Sequence, residues 1–270
     1  MKLYSLNITP LSSFLTIPKG DILYGQILSF LAFKKDVEEF KEDFVISDMM
    51  PFNYFYRPNL PLEHFNEEYK KELRKKKFIT LKSLQTDLIP EKVYFEKKDI
   101  VIKNSINRLT FTTSNGFDPF SIEEINYTKM WMFLMCKENK KEILLNTIEK
   151  IGKYGFGKKS SIGKGLFRID EIKEFKFNDI ETSTYLAISP FVKEKDDKVY
   201  YEPYVKFGKY GLNRAKNPFK KPIILCDSGS VIKLNSKQEV YGKILENGSI
   251  EKSYTQAKTI LVPMKQSYNK

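Results

Sequence analysis

Residues 152–168 read Gly-Lys-Tyr-Gly-Phe-Gly-Lys-Lys-Ser-Ser-Ile-Gly-Lys-Gly-Leu-Phe-Arg. Gly152, Gly155, Gly157, Gly163 and Gly165 intersperse Lys158, Lys159, Ser160, Ser161 and Lys164. Glycine admits positive φ and lets another backbone come close. Successive backbone N–H groups in such a loop can form a concave anion nest. Lysines and hydroxyls at its rim suit that nest to phosphate. The bland alternative is a tight connection between two elements, with no ligand.

Two nucleotide motifs fail on order and spacing. Gly152 and Gly157 have the four-residue gap of a P-loop, followed by Lys158, but Lys159 stands where the hydroxyl for Mg²⁺ belongs. A P-loop also runs from strand to helix, so that a helix N-terminus faces the phosphate. Here a predicted helix over 140–151, with Gly152 as its cap, precedes the loop, and a strand over 166–172 follows it. The dinucleotide fingerprint lacks its third glycine after Gly155 and Gly157.

Hydrolytic and metal chemistry have little support. His64 is the only histidine and sits in a charged stretch. It could serve as the general base of a metal-independent ribonuclease, although a surface histidine without a partner reads the same way. Cys136 and Cys226 are the only cysteines. Both lie in apolar runs and read as buried thiols, and no Cys/His group has zinc spacing. Neither a metal nor an organic cofactor is expected.

The rest of the chain supplies the scaffold. Alternation predicts a strand over 2–8. A helix over 22–35 follows, with Asp21 as N-cap, and Gly25 within it suggests a close backbone approach. A buried strand is expected over 125–137. Beyond 178 the chain reads as strands: 184–192 returning through 199–205 around a charged tip, then 222–226 and 230–234 about a turn, and 259–264. The expected division is therefore 1–177 and 178–270. Net charge is +12 over 270 residues, almost all of it from lysine, with pI near 9.3. That balance favours a polyanionic partner, and a lysine-biased composition produces the same excess. Phe14 and Phe156 could flank an RNA surface as stacking platforms or fill the core. The apolar run 130–136 is too short to cross a bilayer, and a cytoplasmic protein is expected.

Helix, then Gly155-Phe156-Gly157 to Gly163-Lys164-Gly165, then strand, resembles the glycine-rich loop of the RAMP superfamily of CRISPR proteins. Ser13-Phe14-Leu15-Thr16-Ile17, Gly20-Asp21-Ile22-Leu23-Tyr24-Gly25 and Asn107-Arg108-Leu109-Thr110 are similar to further segments of the subunit-four family of the type III-A Csm effector. Ile22 departs from that pattern, as does Lys164, where an apolar residue is common. The resemblance implies an α+β chain: a ferredoxin-like (RRM-like) N-terminal domain carrying the loop, plus a strand-rich, degenerate ferredoxin-like C-terminal domain. It implies a non-catalytic subunit that binds the 5′ repeat tag of crRNA. The implied neighbours are the large signature subunit and a backbone RAMP subunit. The RNA-binding residues it implies are Gly157, Lys158, Lys159, Ser160, Ser161, Gly163, Lys164 and Gly165, with Ser13, Lys19, Asp21 and Arg108. The alternative function is a repeat-processing endoribonuclease using His64.

Overall fold

Seven consecutive apolar residues, Met130–Cys136, are all buried. A strand can sustain such a run only when both faces of its sheet are covered. Met130, Met132, Leu134 and Cys136 point into one core cluster, and Trp131, Phe133 and Met135 into another. That division sets the layers of the protein.

The computed structural model describes residues 1–33, 36–62, 67–113, 116, 118–194, 196–210, 217–249 and 252–266. In chain order the N-terminal elements are β1 (Lys2–Pro10), α1 (Gly20–Leu31), β2 (Phe44–Ile46), β3 (Met50–Pro51), β4 (Tyr54–Tyr56), α2 (Glu67–Lys75), β5 (Phe78–Thr80) and α3 (Leu81–Thr86). Next come β6 (Glu96–Lys103), β7 (Phe120–Tyr127), β8 (Met130–Cys136), α4 (Lys141–Tyr154) and β9 (Phe167–Glu174). The remainder is β10 (Thr184–Ala187), β11 (Lys198–Tyr200), β12 (Pro203–Lys206), β13 (Ile223–Cys226), β14 (Val231–Lys233), β15 (Val240–Glu246) and β16 (Tyr254–Pro263). The chain is thus mixed α and β, rich in strands and with few helices.

The first sheet runs β2-β8-β1-β9, all antiparallel, with β3 also on β8. Helix α1 connects β1 to β2, and α4 connects β8 to β9. Both helices cover one face of this sheet: Leu23, Tyr24, Ile27, Leu28 and Leu31 of α1 and Leu144, Ile148 and Ile151 of α4 join the cluster of Met132 and Leu134. The other face packs on the second sheet, ordered β11-β14-β10-β16-β15. There Leu3, Val45, Phe133 and Met135 meet Leu186, Val231, Ile260 and Val262. The far face of the second sheet has its own cluster of Tyr185, Ala187, Ile232, Tyr241 and Leu261.

Several expectations shift. The run 125–137 is two strands, because β7 ends at Tyr127 and pairs with β6, while β8 begins at Met130. Lys19, not Asp21, precedes α1 as N-cap, and no side chain caps that helix. No atom would contact a Cβ at Gly25 within 4 Å, so the close approach expected there is absent. Gly152 lies inside α4, and Gly155 ends it. Strands 184–192 and 199–205 do not pair with each other: β10 pairs with β14 and β16, and β12 with β13. Strand β15 was not anticipated at all.

Polar side chains join the two sheets. The buried Gln256 amide lies against the edge strand β2, accepting from Ile46 N–H at 2.9 Å and donating to Ile46 C=O at 2.7 Å. Asp48 is fully buried and accepts from Gly20 N–H (2.7 Å), Tyr56 Oη (3.0 Å) and Ser228 Oγ (2.6 Å). The Lys19 ammonium sits between Asp48 at 3.3 Å and Asp227 at 2.5 Å. Burial alone would lower the pKa of Lys19; the two carboxylates, Asp48 foremost, outweigh it and hold the pKa above the ordinary lysine value. Asp48→Ala leaves Lys19 short of a counter-charge and strands three donors. Removing one partner of a buried pair costs about 3–5 kcal/mol. Urea unfolding is expected to show a loss of that size, whereas breaking the exposed, solvent-screened pair Lys237–Asp179 is expected to leave the urea midpoint nearly unchanged.

Candidate nucleic-acid interface

The segment between β1 and α1 is stitched to the glycine loop. Leu11 N–H donates to Leu166 C=O (2.8 Å), and Gly165 N–H to Ser13 C=O (2.9 Å). Leu166 N–H donates to Ser12 Oγ (2.8 Å), and Lys158 N–H to Thr16 Oγ1 (2.9 Å). From α1, Gln26 Nε2 donates to Gly155 C=O at 2.8 Å, while its Oε1 accepts from Gly157 N–H at 3.3 Å. Phe156 N–H closes the loop on Gly165 C=O at 2.8 Å.

Two glycines make this closure possible. Gly155 ends α4 with φ +111°, a conformation that β-carbons disfavour. Gly165 has φ +71°, and a Cβ there would sit 2.2 Å from Phe156 O. Lys159 adopts φ +64° without being glycine and opens the short 3₁₀ turn Ser160–Ile162, which Gly163 closes.

Most loop N–H groups therefore serve the loop itself. Among the described residues, those of Lys159, Ser160 and Ser161 have no hydrogen-bond acceptor. The side chains of Lys158, Lys159 and Ser161 are exposed, and that of Ser160 is half-buried. The open part of the expected nest is thus residues 158–161.

Lys164 faces inward. Its ammonium pairs with the buried Glu124 at 2.5 Å and donates to Ser13 Oγ at 2.8 Å, and Ser13 Oγ donates to Glu124 at 2.6 Å. Lys103 adds a second cation at 3.2 Å. Hydrogen bonds from Lys164 and Ser13 push the Glu124 carboxyl down to about 2. Lys19 is engaged by Asp48 and Asp227, and Asp21 is buried and paired with Lys206. Ser13, Lys19, Asp21 and Lys164 are thus partnered inside the protein. Their partners lie on other elements, Asp227 208 residues from Lys19 and Lys206 185 from Asp21, beyond any local pattern.

Arg108 is exposed in the connection beyond β6. Phe14 and Phe156 are fully buried, with ring centroids 6.1 Å apart, and act as core instead of stacking platforms. His64 lies outside the described residues. The sequence reads as strands over 93–111 but does not give the pairing of the β6–β7 ribbon, a two-stranded sheet that exposes Ile100 and Ile102, with Leu109 and Phe111 exposed in the connection beyond β6. The alternation Ile100, Ile102 was its signal. Between this ribbon, the β1–α1 segment and the glycine loop runs a groove of about 330 Å³, lined by Leu15, Ile17, Lys98, Ser121, Ile125 and Lys158 among others. Among the described residues, no group of His, Cys, Asp and Glu could hold a metal ion, and no helix is long and apolar enough to cross a membrane.

No protein-family model matches the sequence, and no curated protein matches it. Solved structures do share the fold. The chain matches one in the Csm1–Csm4 cassette in complex with cA4, with TM-score 0.67, 18% identity and 100% of both chains covered. It matches one in the same cassette in complex with pppApA at 0.65, 19% and full coverage of both. It also matches one in the Csm3–Csm4 subcomplex of the type III-A CRISPR-Cas interference complex, at 0.65 and 18%, covering 98% of this chain and 100% of that one. The fold is therefore shared, end to end, with chains of the Csm1–Csm4 and Csm3–Csm4 structures.

The Glu124 cluster has a pH signature. Its carboxyl has a lower pKa folded than the ordinary 4.5, so the stability it contributes is fully present above about pH 4.5 and fades as pH falls toward 2. Wild type is expected to exceed Glu124→Gln in stability at pH 6. The gap is expected to close between pH 4.5 and 2 in chemical denaturation.

Proposed function

We propose that this chain is the Csm4-type subunit of a type III-A CRISPR effector, a non-catalytic RAMP protein that binds the 5′ repeat tag of crRNA. The observation that carries the reading is the end-to-end match of fold: the component named in both the Csm1–Csm4 and Csm3–Csm4 structures is Csm4. The order β1-α1-β2-β8-α4-β9, with strands placed β2-β8-β1-β9, supports reading this part as a ferredoxin-like unit. The glycine loop sits between its last helix and last strand, and the strand-rich part from 178 onward forms the second domain. By the same reading the chain caps the assembly beside the large signature subunit and touches a backbone RAMP subunit.

The mechanism is positional. Lys158 and Lys159 with the free N–H groups of 159–161 grip phosphates at one end of the groove. Phosphate contacts set register without reading sequence. The scaffold holds this grip rigid through the β1–α1 segment, so the start of the guide is placed relative to the sheet. Lys164 supports the loop from inside and takes no phosphate.

Binding of tag RNA across a salt series tests this. A single-strand phosphate contact contributes about 0.7 to the slope of log affinity against log salt. Lys158→Gln with Lys159→Gln is expected to flatten the slope by up to about 1.4, while Lys164→Gln leaves it unchanged. An unaltered slope in the double variant removes the loop from the RNA site. Repeat RNA incubated with the wild-type chain is expected to stay intact. Cleavage that His64→Ala abolishes would replace this reading with the endoribonuclease.

A further inference from the structure

The second half carries a separate ribbon, β12 paired with β13, that belongs to neither large sheet. Beyond its strands it continues to a bridge between Lys209 and Phe219, with Tyr210 N–H donating to Pro218 C=O and Lys220 N–H to Gly208 C=O. Ser249 braces this end: its Oγ donates to Phe219 C=O at 2.7 Å, and its N–H to Tyr210 Oη at 2.6 Å. The described part of the arm is therefore braced against the protein body.

Its charge is unbalanced. The Lys206 ammonium is seated on the buried Asp21 carboxylate in the first turn of α1. Lys220 lies close enough to Lys206 to feel its charge, and no carboxylate pairs with Lys220 or Lys209 among the described residues. Burial first, and then the charge of Lys206, push the Lys220 ammonium down to about 8. Among the described residues, Tyr210 is the other titratable group at Lys220, its ring 5.7 Å from the ammonium. Among the described residues, two neighbouring ammoniums share a single carboxylate, a site that an added anion would relieve.

Aromatic rings accompany the cations. Lys209 stands 4.9 Å from the Phe219 ring, and Phe207 and Phe219 are 70% and 56% exposed. Lysines interleaved with exposed rings are the pattern by which proteins hold single strands, phosphate on cation and base on ring. The location fits as well. Asp21, which anchors Lys206, follows the same β1–α1 segment that holds the glycine loop.

We propose that the β12–β13 arm is a second contact for single-stranded RNA, with Lys209 and Lys220 taking phosphate and Phe207 and Phe219 stacking on bases. The identity of the polymer rests on the RNA reading above; the anion site itself does not. An acidic protein face is the competing occupant, and the exposed rings favour RNA.

The test uses the full chain and a labelled unstructured oligouridylate. Lys220→Gln with Lys209→Gln is expected to flatten the salt slope by up to about 1.4. Phe219→Ala is expected to weaken binding on the order of tenfold. Lys220→Arg, which keeps the charge, is expected to bind as wild type and so separates charge loss from misfolding. In parallel, amine acylation at pH 8 read by mass spectrometry should find Lys220 more reactive than exposed lysines such as Lys237, and protected once oligouridylate is added. Arm variants that keep wild-type slope and affinity while Lys158→Gln with Lys159→Gln weakens binding overturn the arm and leave the loop standing. The reverse outcome supports the arm and overturns the loop. Lys220 that stays reactive with oligouridylate but is protected by partner subunits alone makes the arm a protein contact and overturns the proposal.

Discussion

The ion cluster of Lys19, Asp48 and Asp227 is the constraint on which the remaining geometry rests. Its three members come from the start of α1, the link between β2 and β3, and the turn between β13 and β14. Asp48 also receives Gly20 N–H, so the same carboxylate that ties the sheets together fixes where α1 begins. An apolar contact between two sheets tolerates sliding by a fraction of a residue. A buried carboxylate with four donors does not, since each displaced donor loses its partner in a medium that supplies no water. Gln256 acts in the same sense on β2, replacing the missing neighbour of an edge strand with a side-chain amide. The start of α1 is thereby set, and with it the β1–α1 segment and the glycine loop sewn onto that segment.

This hierarchy explains which residues could be read from the sequence. Strand β1, helices α1 and α4 and strand β9 announce themselves by local periodicity, and the glycines of 155–165 by type. Helix ends were legible only approximately. Gly152 looks like a cap but lies in the last turn of α4, and Gly155 takes the positive φ instead. The roles of Lys19, Asp21 and Lys164 were illegible for a different reason. A lysine near a glycine-rich loop reads as a phosphate ligand until its carboxylate is found, and Asp227, Lys206 and Glu124 are placed by tertiary structure alone. Likewise, the type of Phe14 and Phe156 allowed either core or stacking, and only their full burial, packed on each other and with Tyr127 against Phe14, decides it.

The second half was legible in content but not in pairing. Its strands are short, mostly three or four residues among β10 to β14, so neither alternation nor turn chemistry selects a partner. The charged tip at 193–198 suggested a hairpin. The chain instead places β11 beside β14 and gives β12 to β13. The pairing follows from burial: Leu186, Val231 and Ile260 must all reach the apolar layer shared with the first sheet. A local hairpin would leave part of that layer uncovered.

Net charge, finally, is a poor guide to where a polyanion would sit, because most of the lysines named above are already balanced. Lys19, Lys103, Lys164 and Lys206 each face a buried carboxylate and act as struts. Lys98 and Lys237 are in exposed pairs with modest energies. The cations that matter are those the fold leaves without a carboxylate while holding their backbone still. Lys158 and Lys159 meet that condition because glycine geometry and the Thr16 and Gln26 hydrogen bonds fix the loop beneath them. Lys209 and Lys220 meet it because Ser249 braces their arm. Rigidity under an unbalanced charge lowers the entropy lost on binding, and it separates these two patches from the lysine-rich surface in general.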